Sequence, residues 1–200
     1  MKKAPLVQAK NLRLSINFFA PEAPQTAVAQ LAAGFAAQLS EVIPVPAGLT
    51  PPAIGEYWPG QGGIYGGLRL YPEGMCHIIF AAADAGKHAF GDYGTEIEGA
   101  NQVDGRANTA LLIAREGKHP AAIAATGHAA DGHNDFYLPA SGELHHGYLY
   151  LPQAFEKAWY VSSSQRSANY AYTMDFEDGW LNDSHKDNEF LVRPVRRFLQ

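Results

Sequence analysis

The sequence predicts an α+β domain of short, twisted antiparallel strands, two helices and long loops, preceded by an N-terminal strand and helix. Three observations carry that prediction. Hydrophobic residues are 46% of the 200 and charged ones 18%, the balance of a chain that buries a core rather than one that stays disordered. The 20 glycines and 13 prolines break the chain into many short elements. Beyond residue 53, brief apolar runs alternate with Gly, Asp and Asn, whereas a single long amphipathic stretch precedes them.

Leu12, Leu14, Ile16 and Phe18 alternate with Arg13, Ser15 and Asn17, and this period of two predicts a half-buried strand that Pro21 and Pro24 end. Residues 25–42 contain no proline. Within them Val28, Leu31, Ala32, Phe35, Leu39 and Val42 recur at three- and four-residue steps, so an amphipathic helix is expected, closed by Pro44 and Pro46. Its apolar stripe either docks on its own domain or pairs with other subunits. Residues 44–52 read as a stiff Pro-rich connector, which divides an N-terminal part, residues 1–53, from a C-terminal domain, residues 54–200.

In the C-terminal domain, strands are expected over residues 64–70, 76–83, 159–163, 171–176 and 190–198. Leu111, Leu112 and Ala114 mark a helix over 108–116, which residues 120–125 extend or follow, and residues 139–145 read as a loop running into a helix. The glycines between Gly60 and Gly67 lack the Gly-Lys-Ser/Thr ending of a phosphate loop and predict a tight hairpin with positive φ.

Six short motifs follow one another between residues 54 and 198. They are Ile54-Gly-Glu-Tyr-Trp58, Asp104-Gly-Arg-Ala-Asn-Thr109, His119-Pro-Ala-Ala122, Asp135-Phe-Tyr-Leu-Pro-Ala140, Trp159-Tyr-Val-Ser-Ser-Ser-Gln165 and Val192-Arg-Pro-Val-Arg-Arg-Phe198. In this order they resemble the DUF1566 family, whose domain also ends the Legionella collagen-like adhesins and occurs in bacteriophage and prophage proteins. The resemblance implies a C-type-lectin-like fold, related to formylglycine-generating enzymes and to retroelement-diversified variable proteins. It implies that the Trp159 motif is a central core strand whose serines support it through hydrogen bonds, with Trp159 itself a buried aromatic. It implies also that the loops and strands from there to the terminal Arg-rich strand build a ligand-binding face.

Residues 165–188 are where that face is expected. Gln165, Arg166, Asn169, Tyr170, Tyr172, Asp178, Trp180, Asn182, Asp183, Asp187 and Asn188 combine aromatic rings with amides and charged groups, as a surface needs to stack on a partner and hydrogen-bond its edges. The plainer reading is a solvated hairpin whose tyrosine rings pack inward at alternate positions. Asn182-Asp183 after Trp180 is similar to the Trp-Asn-Asp element of calcium-dependent lectins, but Leu181 interrupts it and one motif cannot supply the 6–8 oxygens calcium takes. No cofactor is expected.

Other chemistry finds less support. His128, Asp131, His133 and Asp135, with His145 and His146, lie in glycine-rich sequence that fixes no ligand spacing, so surface or turn roles are expected. Cys76 sits in an apolar strand and reads as structural; as the sole cysteine it cannot form the cysteine pair of formylglycine-generating enzymes. Ser162, Ser163 and Ser164 have no nucleophile elbow around them. Arg193, Arg196 and Arg197 are expected to pair with acidic loops.

The expected function is a non-enzymatic recognition module, in a phage or prophage tail fibre or tail tip, that binds a host-surface glycan or protein. The alternatives are a structural virion assembly protein that uses the same face for a phage partner, and, with less support, a metal-dependent enzyme around His128, Asp131, His133 and His145. A net charge of −5 with no basic block argues against nucleic acid, and no apolar run approaches the ~18 residues of a membrane span. Lys2 and Lys3 are followed by Pro5 and Lys10 rather than by a continuous apolar stretch, so no signal peptide is expected. Synthesis in the bacterial cytoplasm and release by lysis within a virion then follow. The N-terminal part is expected to attach the domain to other virion proteins or to drive homo-oligomerisation, with a trimer favoured.

Overall fold

The computed structural model describes residues 50–115 and 118–200. The strand expected over 12–18 and the helix expected over 25–42 lie outside the described residues. Among those described, nine strands and three α-helices follow in the order β1 (Tyr57–Trp58), β2 (Gly63–Tyr71), β3 (Gly74–Phe80), β4 (Lys87–Ala89), α1 (Gly105–Ile113), α2 (Pro120–Thr126), α3 (Ser141–Tyr150), a short 3-10 turn (Pro152–Ala154), β5 (Trp159–Gln165), β6 (Tyr170–Asp175), β7 (Leu181–His185), β8 (Glu189–Leu191) and β9 (Val195–Leu199). One sheet has the order β1-β2-β3-β9 and the other β4-β8-β5-β6-β7. The strand pairs are antiparallel except β5 with β8. The class is α+β, as expected.

Three helices stand where two were expected, because the 108–125 region divides. Asp104 caps α1 by accepting from Ala107 N–H (3.0 Å), so the helix begins earlier than its apolar residues suggest. Pro120 then opens α2 at a position where a missing N–H costs nothing. The strand expected over 190–198 also divides. Pro194 cannot donate to a ladder, and its carbonyl accepts from Ala81 N–H (2.8 Å) as the chain crosses from the second sheet, at β8, to the first, at β9.

The β1–β2 hairpin uses Gly60 (φ +81°) and Gly62 (φ +79°), the left-handed positions the sequence predicted. Its turn is tied down by Asp131, whose Oδ2 accepts from Gly60 N–H (2.8 Å), Gly62 N–H (3.2 Å) and Tyr57 O–H (3.0 Å).

The main apolar core joins Ile78 and Phe80 of β3, Leu144 of α3, Tyr160 of β5, Met174 of β6, Phe155, Phe176, Leu191 and Val195. A second cluster lies on the other face of β5 and β6 and joins Val161 and Ala171 to Leu112, Ala121, Ala122, Ala125, Leu138 and Val192. Position along β5 corrects one expectation, because both of its faces are packed. Tyr160 is fully buried and Val161 nearly so, whereas Trp159, first in the strand, is only half-buried. Among the described residues no helix is long and apolar enough to cross a membrane.

Candidate binding face on the β6–β7 hairpin

The face is built from β5 outward. Val161 pairs with Thr173 and Gln165 with Ala171, so Ser162, Ser163 and Ser164 oppose Tyr172 alone and the strand bulges. The serine side chains repair the ladder. Ser162 Oγ donates to Tyr172 O (2.8 Å) and accepts from Ser164 N–H (3.1 Å), while Ser164 Oγ donates to Asn101 O (2.7 Å). All three serines are fully buried, so they serve the scaffold.

Ala171 and Thr173 of β6 are buried, and Tyr170 and Tyr172 alternate with them as half-buried side chains on the opposite face. Their cross-strand partners on β7 are His185 and Asp183. The Tyr170 and His185 ring centroids are 4.6 Å apart, and Tyr93, from the loop after β4, stacks on His185 at 5.7 Å and 11°. Arg166 Nε lies 3.6 Å from Asp183 Oδ2, an exposed pair that contributes little to stability and stays accessible to a ligand. One face therefore gathers Arg166, Tyr170, Tyr172 and Asp183 with Tyr93 and His185. Tyr170 and Tyr172 share their face with Met174, which is fully buried in the main core, so this face runs from core at Met174 to half-buried rings at Tyr172 and Tyr170, while Ala171 and Thr173 fill the other, buried face.

The remaining predicted residues divide. Gln165 works internally: its amide clasps both the N–H and the C=O of Ile97 (2.9 and 2.7 Å) and accepts from Lys186 Nζ (3.1 Å). Asn169 contributes its carbonyl, which accepts from Lys186 N–H (3.0 Å). Lys186 itself is fully buried, donates to Thr95 O (2.7 Å) and lies over the Phe90 ring at 4.9 Å. Burial pushes its ammonium below the ordinary lysine range. Asp178 and Trp180 lie in the turn between β6 and β7, about 17 Å along the hairpin from Tyr170. Trp180 is 69% exposed. Asp187 and Asn188 are exposed in the turn after β7. Asn182 pairs with Thr173 and Asp183 with Tyr172, so the two project from opposite faces of β7 and cannot converge on one ion.

Tyr93 was missed by sequence reasoning, and no local signal marks it. It reaches the hairpin because Gly94 N–H donates to Ala168 O (3.1 Å) and Thr95 O accepts from Lys186. Residues 165–189 hold six carboxylates against Arg166 and Lys186, so −4 of the chain's net −5 resides here, with the lysine turned inward.

The histidine-rich stretch disperses. Asp131 holds the β1–β2 turn, His133 Nε2 lies 3.0 Å from Gly60 O, Asp135 pairs with Arg196 (2.7 Å), and His128 packs edge-on against Phe136. His146 Nε2 meets Gly66 O at 2.7 Å, whereas His145 points to solvent. Among the described residues no group of three or more His, Cys, Asp or Glu side chains could hold a metal ion. Cys76 is buried, and burial raises its thiol above the ordinary range, away from nucleophilic chemistry. The terminal arginines are buried and paired: Arg193 with Asp84 (2.6 Å), Arg196 with Asp135, and Arg197 with Glu73 (2.7 Å) and Asp104 (2.7 and 3.0 Å).

No family model matches the chain, and no curated protein matches it. The functional reading therefore rests on the geometry and on the order of the motifs.

Proposed function

We propose that this chain is a non-enzymatic recognition module of a phage or prophage virion, a tail-fibre or tail-tip protein with a C-type-lectin-like domain that contacts a host-surface glycan or protein. The observation that carries the reading is the accessible face of β6 and β7. There Tyr93, Tyr170 and His185 form a contiguous aromatic surface beside Tyr172 and the exposed Arg166–Asp183 pair. Such rings supply large contact area at low conformational cost, and the ion pair supplies both donors and acceptors. The candidate nucleophiles Cys76 and Ser162–Ser164 serve the interior instead. What supports the C-type-lectin-like identity is the ordered motifs together with the two small sheets, three helices and long loops among the described residues. The N-terminal part would attach the domain to other virion proteins, or trimerise it, with release by lysis.

The test is saturable binding of the labelled full chain to a panel of bacterial strains, with and without EDTA. Binding is expected on susceptible strains, unaffected by EDTA, and lowered at least about ten-fold by Tyr170→Ala, the loss of one aromatic contact at a binding centre. A well-folded protein that binds no strain would move this face to virion assembly, buried against another phage protein.

A further inference from the structure

Beside the tip of the β6–β7 hairpin lies a groove of about 520 Å³, inside the range of roughly 300–1,000 Å³ usual for small-ligand sites. Tyr148, Leu149 and Pro152 form its accessible apolar wall, and Phe155 and Phe176 its floor. Phe155 and Phe176 stack at 4.0 Å and 16°, and Tyr148 meets Phe176 edge-on at 5.8 Å. Both phenylalanines are over nine-tenths buried, so they fix a rigid floor and leave Tyr148, Leu149 and Pro152 as the apolar surface a ligand can touch. The last turn of α3 supplies Tyr148, the following 3-10 turn supplies Gln153, and the hairpin turn supplies Glu177. Gly179 (φ +79°) is required at that turn, because the Tyr148 ring fills the space a Cβ would take.

Three exposed polar side chains join this apolar lining: Gln153, Lys157 and Glu177. Lys157 only donates, Glu177 only accepts when ionised, and the Gln153 amide does both. A carboxylate ligand would suit Lys157 but oppose Glu177, and an amine would do the reverse. A purely apolar side chain would desolvate all three groups without replacing their hydrogen bonds. A neutral ligand with an apolar C–H face and hydroxyls that both donate and accept satisfies the whole set.

We propose that this groove is a carbohydrate subsite for a neutral pyranose unit, with the exposed Trp180 on the same turn stacking on the next unit of the chain. The proposal rests on the recognition reading and adds to it a ligand class and four residues outside the hairpin: Tyr148, Gln153, Phe155 and Lys157.

The experiment titrates the full chain with three neutral tetrasaccharides, of N-acetylglucosamine, glucose and galactose, and with tetramers of glucosamine and galacturonate as cationic and anionic controls. Amide and indole NMR shifts are followed. At least one neutral sugar is expected to bind saturably, shifting the Gln153 side-chain amide and the Trp180 indole. Gln153→Ala and Lys157→Ala, both exposed and harmless to the fold, should weaken binding about five-fold each, the loss of one hydrogen bond. Failure of all three neutral sugars, equal binding of the charged tetramers, or indifference to both substitutions would overturn the subsite. Binding to cells that is lost in Tyr170→Ala but intact in Gln153→Ala and Lys157→Ala would also overturn the groove, and would leave the recognition face standing. Sugar binding in the groove by a protein that binds no strain would do the opposite.

Discussion

Glu143 joins three elements through one carboxylate. It is fully buried at the start of α3; Oε1 accepts from Tyr71 O–H (2.7 Å) and Tyr137 O–H (2.8 Å), and Oε2 from Ala140 N–H (2.7 Å) and Gly105 N–H (3.1 Å). An amide in its place would turn an NH2 toward donors on one side. Glu143→Gln should therefore cost about 3 kcal/mol or more, read as a lowered urea midpoint with an unchanged slope. The neighbouring aromatics make a sharper comparison: Tyr160→Ala should cost about 3–5 kcal/mol, as for a fully buried ring, and Trp159→Ala clearly less. Equal losses would mean that Trp159, at the start of β5, is packed as fully as Tyr160. At this scale the sequence was least legible where polar residues are buried. Gln165, Lys186 and Glu143 have the composition of a surface, and only their tertiary partners at Ile97, Thr95 and Tyr71 turn them into scaffold.

The hairpin is the element on which structure and proposed function meet. Because Tyr170 and Tyr172 are only half-buried, beyond the point where Met174 joins the core, Tyr170→Ala and Tyr172→Ala should each leave stability within about 1 kcal/mol of the parent, measured by thermal unfolding. Melting by either change would put those rings in the core and dissolve the face. Strands β2, β3, β5 and β6 could be read from apolar runs because each buries at least one face against the core. β7 could not: Leu-Asn-Asp-Ser-His has no buried stripe, and it is a strand because β6 templates it. The start of α1 was hidden for a different reason, since its first turn is held by the Asp104 cap and by Gly105 packed against Glu143, not by an apolar period.

At the scale of the whole molecule, the C-terminal strand closes the fold with buried charge. β9 pairs with β3, and the three arginines at 193–197 reach carboxylates on loops from Glu73 to Asp135. Burial alone would raise the carboxyls of Glu73 and Asp104, but the hydrogen bonds from Arg197 outweigh it and hold both below their ordinary values of 4.5 and 3.8. Asp92 is likewise held down, its burial outweighed by Arg115. A carboxyl held low in the folded state takes up its proton first in the unfolded chain. Its stabilisation is therefore complete above the unfolded value and is lost as the pH falls through the folded one. Glu143 works against this trend: burial raises its carboxyl despite Tyr71, Ala140 and Tyr137, so its ionisation above 4.5 costs some stability. Asp131 is held low too, by the Gly60 amide and the Tyr57 hydroxyl, and the melting temperature should fall as the pH drops from 4.5 toward and below 3.8. Arg197→Met, which keeps much of the packing volume, should lower the melting temperature at pH 7 by leaving Glu73 and Asp104 without the guanidinium they share. It should also flatten the acid limb, because two of the carboxyls that carry it would no longer be held low. A parent protein as stable at pH 3 as at pH 7, or a variant with an unchanged acid limb, would show that these ion pairs do not hold the terminal strand in place.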